Sequence, residues 1–285
     1  MPAQQRLTAR KGVVNLRCGR FELSLERPLV MGVVNVTPDS FSDGGRFADA
    51  EAAISHAREM IDEGVDLVDV GGESSRPGAA PVAEDEECRR VLPVVNALRD
   101  FPVCVDTRHP GVMRAALDAG ASMINDIEAL QAPGALDAVA AADCAVCLMH
   151  KKGDPATMQD DPQYADVVAE VREFLAARIA ACERAGIARQ RIVADPGFGF
   201  GKTVEHNLTL LKRLPELAAL GVPLLAGWSR KSSLGRITGR DTGERLAASL
   251  SAALLALLGG ARILRVHDVK ETRDAVLVYE AWRKA

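Results

Sequence analysis

Residues 103–127 read VCVDTRHPGVMRAALDAGASMINDI and contain one full repeat of the pattern that decides the fold. The segment begins and ends with an apolar run, and residues 110–119 between the two runs have helical periodicity. Pro110 lies where the first turn of a helix tolerates proline, and Gly120 follows at the position where a C-cap favours glycine. The segment therefore predicts a strand, a helix and a second strand.

The same pattern extends in both directions and occurs eight times. The apolar runs are residues 29–36, 67–71, 103–106, 123–127, 145–149, 192–194, 223–227 and 263–266. The helical stretches are residues 49–63, 84–99, 110–119, 133–141, 164–185, 205–214, 243–258 and 271–283. Several runs are nearly continuous in Val, Ile and Leu, as in parallel strands buried on both faces. Eight such units favour an α/β fold of the closed (β/α)8 or TIM barrel type over an open doubly wound sheet.

One domain accounts for the whole length. A barrel of this type takes roughly 250 residues, so we expect residues 1–285 to form a single domain, with a short β-hairpin within residues 13–25. The formal net charge of −4 provides no basic field for nucleic acid or for an anionic membrane. Residues 246–258 are apolar but fall short of the roughly 20 needed to cross a bilayer. The basic start, residues 1–11, precedes no apolar signal region, so a cytoplasmic protein is expected.

Every predicted strand ends in a polar side chain. In barrel enzymes these ends converge on one mouth, where the loops carry the chemistry. The set therefore predicts a catalytic site at that mouth. Its members are Asn35, Glu73, Asp106, Asn125 with Asp126, His150, Asp195, Lys231 slightly beyond the seventh run, and Arg265 with His267.

Two of these ends have the chemistry of a heterocycle-binding site. Asp106 and Asp195 end apolar runs, and a buried carboxylate needs hydrogen-bond donors. Ring N–H and amino groups of a heterocycle would supply them, and Asn125 offers both a donor and an acceptor. The alternatives are that the carboxylates cap the following helices and that Asn125 makes a turn.

Other residues favour an anion. Arg265 and His267 are two apart on one strand and point to the same side, and Arg76 lies in the loop SSRPG. Together they predict a local phosphate site, although a solvated surface pairing remains open for Arg76. An oxygen of Asn35 together with substrate phosphates is suited to Mg²⁺. PGFGFGKT is not a P-loop, because Pro196 occupies the position of its first glycine.

The motifs together resemble those of the dihydropteroate synthases, pterin-binding barrel enzymes of folate biosynthesis. The resemblance spans nearly the whole chain in the expected order. Its carriers are MGVVNVTPDSFSDGG, GGESSRPG, DT followed by Pro110, IND, LMH with GDP, DPGFGFGK, SRKS and RVHD.

The resemblance implies that 6-hydroxymethyl-7,8-dihydropterin diphosphate condenses with 4-aminobenzoate to give 7,8-dihydropteroate and diphosphate, and that the protein is a sulfonamide target. It implies a pterin site of Asp106, Asn125, Asp195, Lys231 and Arg265, the last stacked on the ring. It implies a diphosphate site of Asn35, Arg76, His267 and Arg265, with Mg²⁺ at Asn35. Aminobenzoate would contact Phe41, Ser75, Pro77, Phe200, Lys231 and Ser232. The catalytic residues would be Asp106, Asp195, Lys231, Arg265 and Asp43, which would face a developing positive charge.

Three positions depart from the family pattern. Ser75 stands where Thr is usual, Lys151 where Met is common, and His109 where Lys is frequent. Lys151 either points to solvent or adds charge beside the pterin. The residues alone leave both open.

Two other functions remain as alternatives. One is a methyltetrahydrofolate-binding methyltransferase with a corrinoid partner, and the other is a non-catalytic pterin-binding paralogue. The long loops with TPDSFSDGG and SSRPG and the cation pair in RVHD suit a diphosphate, which argues against the methyltransferase. The paralogue is disfavoured because the site residues are intact, namely Asn35, Asp106, Asp195, Lys231, Arg265 and His267. The helix predicted at 243–258 is apolar on more sides than one barrel wall needs, which predicts a homodimer through the last helices.

Overall fold

A computed structural model describes residues 14–36, 46–74, 81–154 and 157–285, and of residues 46–48 it describes the backbone alone. The strands in these ranges are β1 (Asn15–Cys18), β2 (Phe21–Ser24), β3 (Leu29–Asn35), β4 (Leu67–Gly71), β5 (Val103–Asp106), β6 (Met123–Asp126), β7 (Ala145–Met149), β8 (Ile192–Asp195), β9 (Leu225–Ala226) and β10 (Ile263–Val266). The helices are α1 (Arg46–Asp62), α2 (Glu84–Ala97), α3 (Pro110–Asp118), α4 (Ala135–Ala140), α5 (Val167–Arg184), α6 (Val204–Lys212), α7 (Ser232–Thr238), α8 (Leu246–Leu258) and α9 (Val269–Lys284).

Strands β3 to β10 form one parallel sheet that curls into a barrel. Their order around it is β8-β7-β6-β5-β4-β3-β10-β9, and a single bridge between Ala194 and Leu224 joins its two edges. Strands β1 and β2 pair antiparallel as a separate hairpin. The prediction of a (β/α)8 barrel with a short amino-terminal hairpin is confirmed. The assignment of residues 1–285 to one domain stays a prediction, since residues 1–13 lie outside the described ranges.

An apolar layer fills the amino-terminal half of the barrel. Leu29, Leu67 and Ile263, near the starts of their strands, pack with Leu16 and Cys18 of the hairpin. The hairpin therefore closes the bottom, and the interior becomes polar only toward the carboxyl ends of the strands. This placement leaves a single open mouth for a site.

A larger apolar layer joins the outer faces of the strands to the helices. It contains Val30 and Val34 of β3, whose neighbours Leu29 and Met31 face the barrel interior. This alternation is the two-residue period of a strand buried on both faces. No helix within the described ranges is both long enough and apolar enough to span a membrane.

The boundaries differ from those predicted where local chemistry intervenes. Helix α5 begins after Asp166, because that side chain accepts hydrogen bonds from the backbone N–H groups of Val168 and Ala169, 2.9 and 3.1 Å away. The seventh strand, predicted at residues 223–227, consists only of the two residues of β9. Helix α7 was not predicted: it is seven residues long, too short for a periodic signal, and ends at Gly239 with φ 70°.

Candidate active site

Arg265 of β10 lies at the centre of the polar layer. Its Nε donates to Asp69 Oδ2 at 2.6 Å, and its Nη2 donates to Asp106 Oδ2 at 2.7 Å. Asp69 is fully buried, and Asn125 Nδ2 lies 3.5 Å from the same Oδ2 atom. Four strands, β4, β5, β6 and β10, thus bring one cation, two carboxylates and an amide together.

Two acceptor atoms in this group have no hydrogen-bond partner among the described residues. They are Asp69 Oδ1 and Asn125 Oδ1, and both are buried. Buried polar atoms are nearly always hydrogen-bonded, so each such exception calls for an explanation. A ligand that brings N–H or amino donors into the barrel would satisfy both atoms.

Burial also perturbs the ionisation of the groups around this centre. It raises the pKa of Asp106 to about 7, against the attraction of Arg265, and it raises the pKa of Asp195. Burial lowers the pKa of Lys231 to about 8, although Asp195 opposes the shift. Ordinary values are about 4 for Asp and above 10 for Lys, so these groups change charge much closer to neutrality. Such clustering is typical of functional sites.

The loop between β8 and α6 positions Lys231. Its ammonium donates to the carbonyl of Phe198 and lies 4.4 Å from the centre of the Phe200 ring. Asp195 Oδ1 accepts from the N–H of Gly197 at 2.7 Å, which fixes the start of the loop. Carboxylate, ammonium and aromatic ring therefore share one side of the mouth.

Glycine is required where this loop crosses its neighbours. Gly197 has φ 68°, and a Cβ there would lie 1.9 Å from the carbonyl oxygen of His150. A Cβ on Gly201, with φ 62°, would lie 2.2 Å from the carbonyl oxygen of Lys152. Only glycine allows both this backbone conformation and this close approach, which explains the glycines at positions 197 and 201 of DPGFGFGK.

Lys202 holds the loop from beneath. Its buried ammonium lies 3.0 Å from the carbonyl oxygens of both Gly197 and Phe200 and 3.3 Å from that of His150. Burial lowers its pKa. The Lys202 side chain therefore fixes the loop around Phe198, whose carbonyl oxygen accepts a hydrogen bond from Lys231.

A second group lines the rim. Among the described residues, Asn35, His56, Arg230 and His267 line a cleft of about 560 Å³ beside β3 and β10. The Nδ1 atom of His267 lies 3.1 Å from Ser229 Oγ. Glu59 also lines the cleft, and the Arg230 guanidinium is paired with Asp268. The imidazole of His267 next to the amide oxygen of Asn35 suits an anion accompanied by a hard cation.

The predicted residues have different outcomes. The structure brings Asp106, Asn125 and Arg265 into one cluster, Asp195 and Lys231 beside Phe200, and Asn35 beside His267. Ser232 is exposed at the start of α7. Five further predicted residues lie outside the described ranges: Phe41, Asp43, Ser75, Arg76 and Pro77.

Three polar strand ends, Glu73, Asp126 and His150, have hydrogen-bond partners within the protein. Asp126 accepts from the N–H groups of Glu128 and Leu130, at 2.8 and 2.7 Å, and so makes the turn after β6. His150 contacts Lys202, with Nδ1 3.0 Å from Nζ. Glu73 accepts from Arg108 and from the N–H of Val82. Each of these groups therefore has at least one hydrogen-bond partner within the protein.

The two departures that the structure describes also have partners. Lys151 does not extend freely into solvent, because Nζ donates to Glu128 Oε1 at 3.1 Å. His109 Nδ1 lies 2.7 Å from Glu87 Oε2. Sequence reasoning missed Asp69 altogether. The available signal was an aspartate inside the apolar run LVDVG, on the same side of the strand as residues 67 and 71.

Comparisons with known proteins show the family of this chain. The family described as Pterin binding enzyme matches residues 31–267. The chain is 51% identical over 262 residues to the dihydropteroate synthase of Escherichia coli strain K12, covering 91% of this chain and 93% of that protein. It is 50% identical to the dihydropteroate synthase of Neisseria meningitidis serogroup C, covering 93% and 96%.

Solved structures extend the similarity to the fold. Xanthomonas albilineans dihydropteroate synthase with 4-aminobenzoic acid has a TM-score of 0.91 and 53% identity, covering 96% of this chain and 99% of that one. The same enzyme in complex with 7,8-dihydropteroate has a TM-score of 0.87 and 51% identity, covering 95% and 99%. The Yersinia pestis enzyme in a sulfonamide drug complex has a TM-score of 0.90 and 47% identity, covering 95% and 100%. The chain therefore belongs to the dihydropteroate synthases, transferases of the pterin binding enzyme family.

Proposed function

We propose that this chain condenses 6-hydroxymethyl-7,8-dihydropterin diphosphate with 4-aminobenzoate, with loss of diphosphate before the amine attacks. The observation that carries the proposal is the pair of unpartnered acceptors, Asp69 Oδ1 and Asn125 Oδ1, beside the Arg265 guanidinium. A pterin presents ring N–H and amino donors that match these acceptors, and a planar face that a guanidinium can cover.

The pterin binds in the polar layer of the barrel. Asp106, Asn125 and Asp195 accept from its donors, Lys231 donates to one of its acceptors, and Arg265 stacks on the ring. Burial raises the pKa of Asp106 to about 7, and hydrogen bonds from the donors of the ligand favour its ionised form. The ring thereby replaces the water that these groups would otherwise need.

The diphosphate lies in the rim cleft. His267 lines this cleft and stabilises the charge of the diphosphate, and the resemblance adds Arg265 and Arg76. The amide oxygen of Asn35, in the same cleft, is a hard ligand of the kind that Mg²⁺ accepts. When bound, Mg²⁺ neutralises charge on the leaving diphosphate. Asn35, His267 and Arg265 hold that group in place while its bond to the pterin methylene carbon breaks.

An aromatic amine is a weak nucleophile, so bond breaking is the demanding step. The carbon–oxygen electron pair leaves with diphosphate, and the pterin spreads the resulting positive charge. Carboxylates fixed before the reaction, Asp106 and Asp195, stabilise that charge, with Asp43 facing it from the first loop. The amine of 4-aminobenzoate then forms the new C–N bond and loses a proton. As the resemblance implies, the ring of 4-aminobenzoate would contact Phe41, Ser75, Pro77, Phe200, Lys231 and Ser232.

One assay tests the function. Purified protein is incubated with the pterin diphosphate and Mg²⁺, with and without 4-aminobenzoate, and diphosphate and dihydropteroate are quantified. The proposal expects dihydropteroate and diphosphate in equal amounts when the amine is present. A protein that binds pterin without forming dihydropteroate is the non-catalytic paralogue, and methyl transfer from methyltetrahydrofolate identifies the methyltransferase. The dissociative path would be contradicted if isotope effects at the methylene carbon showed that no positive charge develops there before the amine attacks.

A homodimer through the last two helices is part of the proposal. Leu255 and Leu258 of α8 and Leu277, Val278 and Trp282 of α9 are large apolar side chains that are more than half exposed. Val278 is 68% exposed and Trp282 63%. A second copy can cover this face with the same face of its own, as a two-fold dimer does.

Light scattering tests the dimer. We expect a dimer mass at micromolar concentration, and a monomer for Trp282→Glu. Leu208→Glu is the matched control, since Leu208 is an exposed leucine on α6, and it should remain dimeric. A monomeric wild-type protein would contradict the proposal.

A cytoplasmic location stays a prediction.

A further inference from the structure

A cluster outside the proposed substrate site joins the ends of two neighbouring strands. Glu73 follows β4, His109 precedes α3, and Glu87 lies in the first turn of α2. One oxygen of each glutamate and one ring nitrogen of His109 all lie within 4.8 Å of one another. Two carboxylates and an imidazole at this spacing form a ligand set for a first-row divalent cation.

Glu87 points to an external partner. Its carboxylate is fully buried, with Oε2 2.7 Å from His109 Nδ1, and its Oε1 has no hydrogen-bond partner among the described residues. The side chain is held close to β4 because Gly72 leaves room for it: a Cβ on Gly72 would lie 2.9 Å from Glu87 Cγ. A buried carboxylate with one unsatisfied oxygen is costly, and a coordinated cation removes that cost.

Arg108 does not fill the cluster. Its Nε and Nη2 donate to the two oxygens of Glu73 at 3.0 and 3.1 Å, and the Val82 N–H donates to one of the same oxygens. A carboxylate offers about four acceptor positions, so one remains on Glu73. Arg108 Nη1 also lies 3.8 Å from Glu128, which gives the guanidinium a second anion if Glu73 turns toward a metal.

The local charge favours a cation as well. Glu73, Glu87 and Glu128 face two permanent cations, Arg108 and Lys151, so one negative charge is in excess when His109 is neutral. Imidazole with carboxylates suits Zn²⁺ better than Mg²⁺, which prefers oxygen alone. Tetrahedral Zn²⁺ with bonds of about 2.1 Å places neighbouring ligand atoms about 3.4 Å apart. The His109–Glu87 contact at 2.7 Å must therefore open slightly when the cation replaces the proton between the two atoms.

We propose that His109, Glu87 and Glu73 form a binding site for one zinc-type divalent cation, separate from the Mg²⁺ proposed at Asn35. The cation ties the end of β4 to the end of β5 at the mouth of the barrel. A water molecule completes the coordination, as in three-ligand zinc sites. The site does not depend on the reaction proposed above.

Metal-free full-length protein tests the site by competition for Zn²⁺ against a chromophoric chelator, followed by thermal unfolding with and without Zn²⁺. We expect one equivalent bound at micromolar or lower concentration and a rise in the melting temperature. His109→Ala should weaken binding at least ten-fold and abolish the rise. His109→Lys places an ammonium among the carboxylates and should stay folded while excluding the metal, which separates loss of the site from loss of the fold.

A rival zinc site among the described residues is His56 with Glu59, an exposed pair 3.8 Å apart on α1. His56→Ala should therefore bind Zn²⁺ as the wild type does. The proposal is overturned if the wild-type protein binds no Zn²⁺ at micromolar concentration. It is equally overturned if His56→Ala removes binding, or if His109→Ala leaves it intact.

Discussion

Asp69→Asn is the most informative single change at the centre of the barrel. The substitution keeps the shape of the side chain and removes its charge. Arg265 then has one carboxylate partner, Asp106, where the wild type has two at 2.6 and 2.7 Å. The pKa of Asp106 should fall, because a repelling anion is lost and the attraction of Arg265 is no longer shared.

The magnitude follows from the geometry. Asp69 and Asp106 contact the same guanidinium, which places the carboxylates on the order of 5 Å apart. At an effective dielectric constant of about 20, two charges at that distance repel by ~3 kcal/mol, which corresponds to roughly two pH units. The pKa of Asp106, raised by burial to about 7 in the wild type, should therefore approach 5 in the variant as an order-of-magnitude estimate.

Pterin binding reports this pKa. The ionised carboxylate accepts from the ligand, so affinity should fall as the pH drops through the pKa of Asp106. Isothermal titration calorimetry with the pterin diphosphate from pH 5 to 8.5 measures the acid limb. In Asp69→Asn the limb should move toward lower pH, while affinity at pH 8.5 falls roughly ten- to hundred-fold through loss of a charged acceptor, at about 1.5–3 kcal/mol.

Asp126→Asn is the matched control. Asp126 is a buried aspartate of the adjacent strand, but its carboxylate accepts from backbone N–H groups and has no contact with Arg265. Its charge also raises the pKa of Asp106, but less than the charge of Asp69 does. Its substitution should therefore lower thermal stability and move the acid limb much less. An acid limb in Asp69→Asn that stays in place or moves to higher pH would refute the electrostatic reasoning.

Three further predictions concern the rest of the mouth. Gly197→Ala adds a Cβ 1.9 Å from the His150 carbonyl oxygen at φ 68°, so it should lower the free energy of unfolding by at least ~2 kcal/mol in chemical denaturation. Lys202→Met removes one hydrogen-bond donor from each of three carbonyl oxygens, of which that of Gly197 keeps the N–H of Phe200. We expect kcat/KM to fall at least ten-fold as the Phe198 and Lys231 contacts shift, and the melting temperature to fall by several degrees; unchanged kinetics would show that Lys202 does not support the site. Lys151→Met breaks a partly exposed ion pair with Glu128, which is worth at most ~1 kcal/mol, so steady-state KM for the pterin substrate should change less than three-fold; a larger change would place its charge beside the substrate.

The shifted pKa values make the free energy of unfolding of the ligand-free protein depend on pH. The folded-state pKa of Asp106 is raised. Its contribution to the free energy of unfolding is therefore complete below about pH 4 and is lost as the pH rises through about 7. The Lys231 pKa is depressed to about 8, so its contribution is present above the unfolded value and is lost as the pH falls through 8. The two effects oppose each other and are concentrated in the mouth of the barrel.

Strand ends were the strongest signal available in the sequence, and they were informative because a parallel barrel collects them at one mouth. This rule predicts Asp106, Asn125, Asp195 and Arg265 as site residues, and the structure places all four at the mouth. Asp126 was found by the same rule but makes a turn, since the rule specifies where a side chain lies and leaves open which donor it meets. The rule does not predict Asp69, because this residue lies inside β4, two residues before the end of the strand.

The sequence by itself determined the alternation of strands and helices, the barrel and the family, since periodicity, prolines, glycines and long motifs are local properties. Tertiary structure alone decided that Asp69 shares Arg265 with Asp106, that Lys151 pairs with Glu128, and that His109 meets Glu87 and Glu73. These contacts join residues 22 to 196 positions apart. Their charges and pKa values depend on distances and burial that exist only once the sheet has closed.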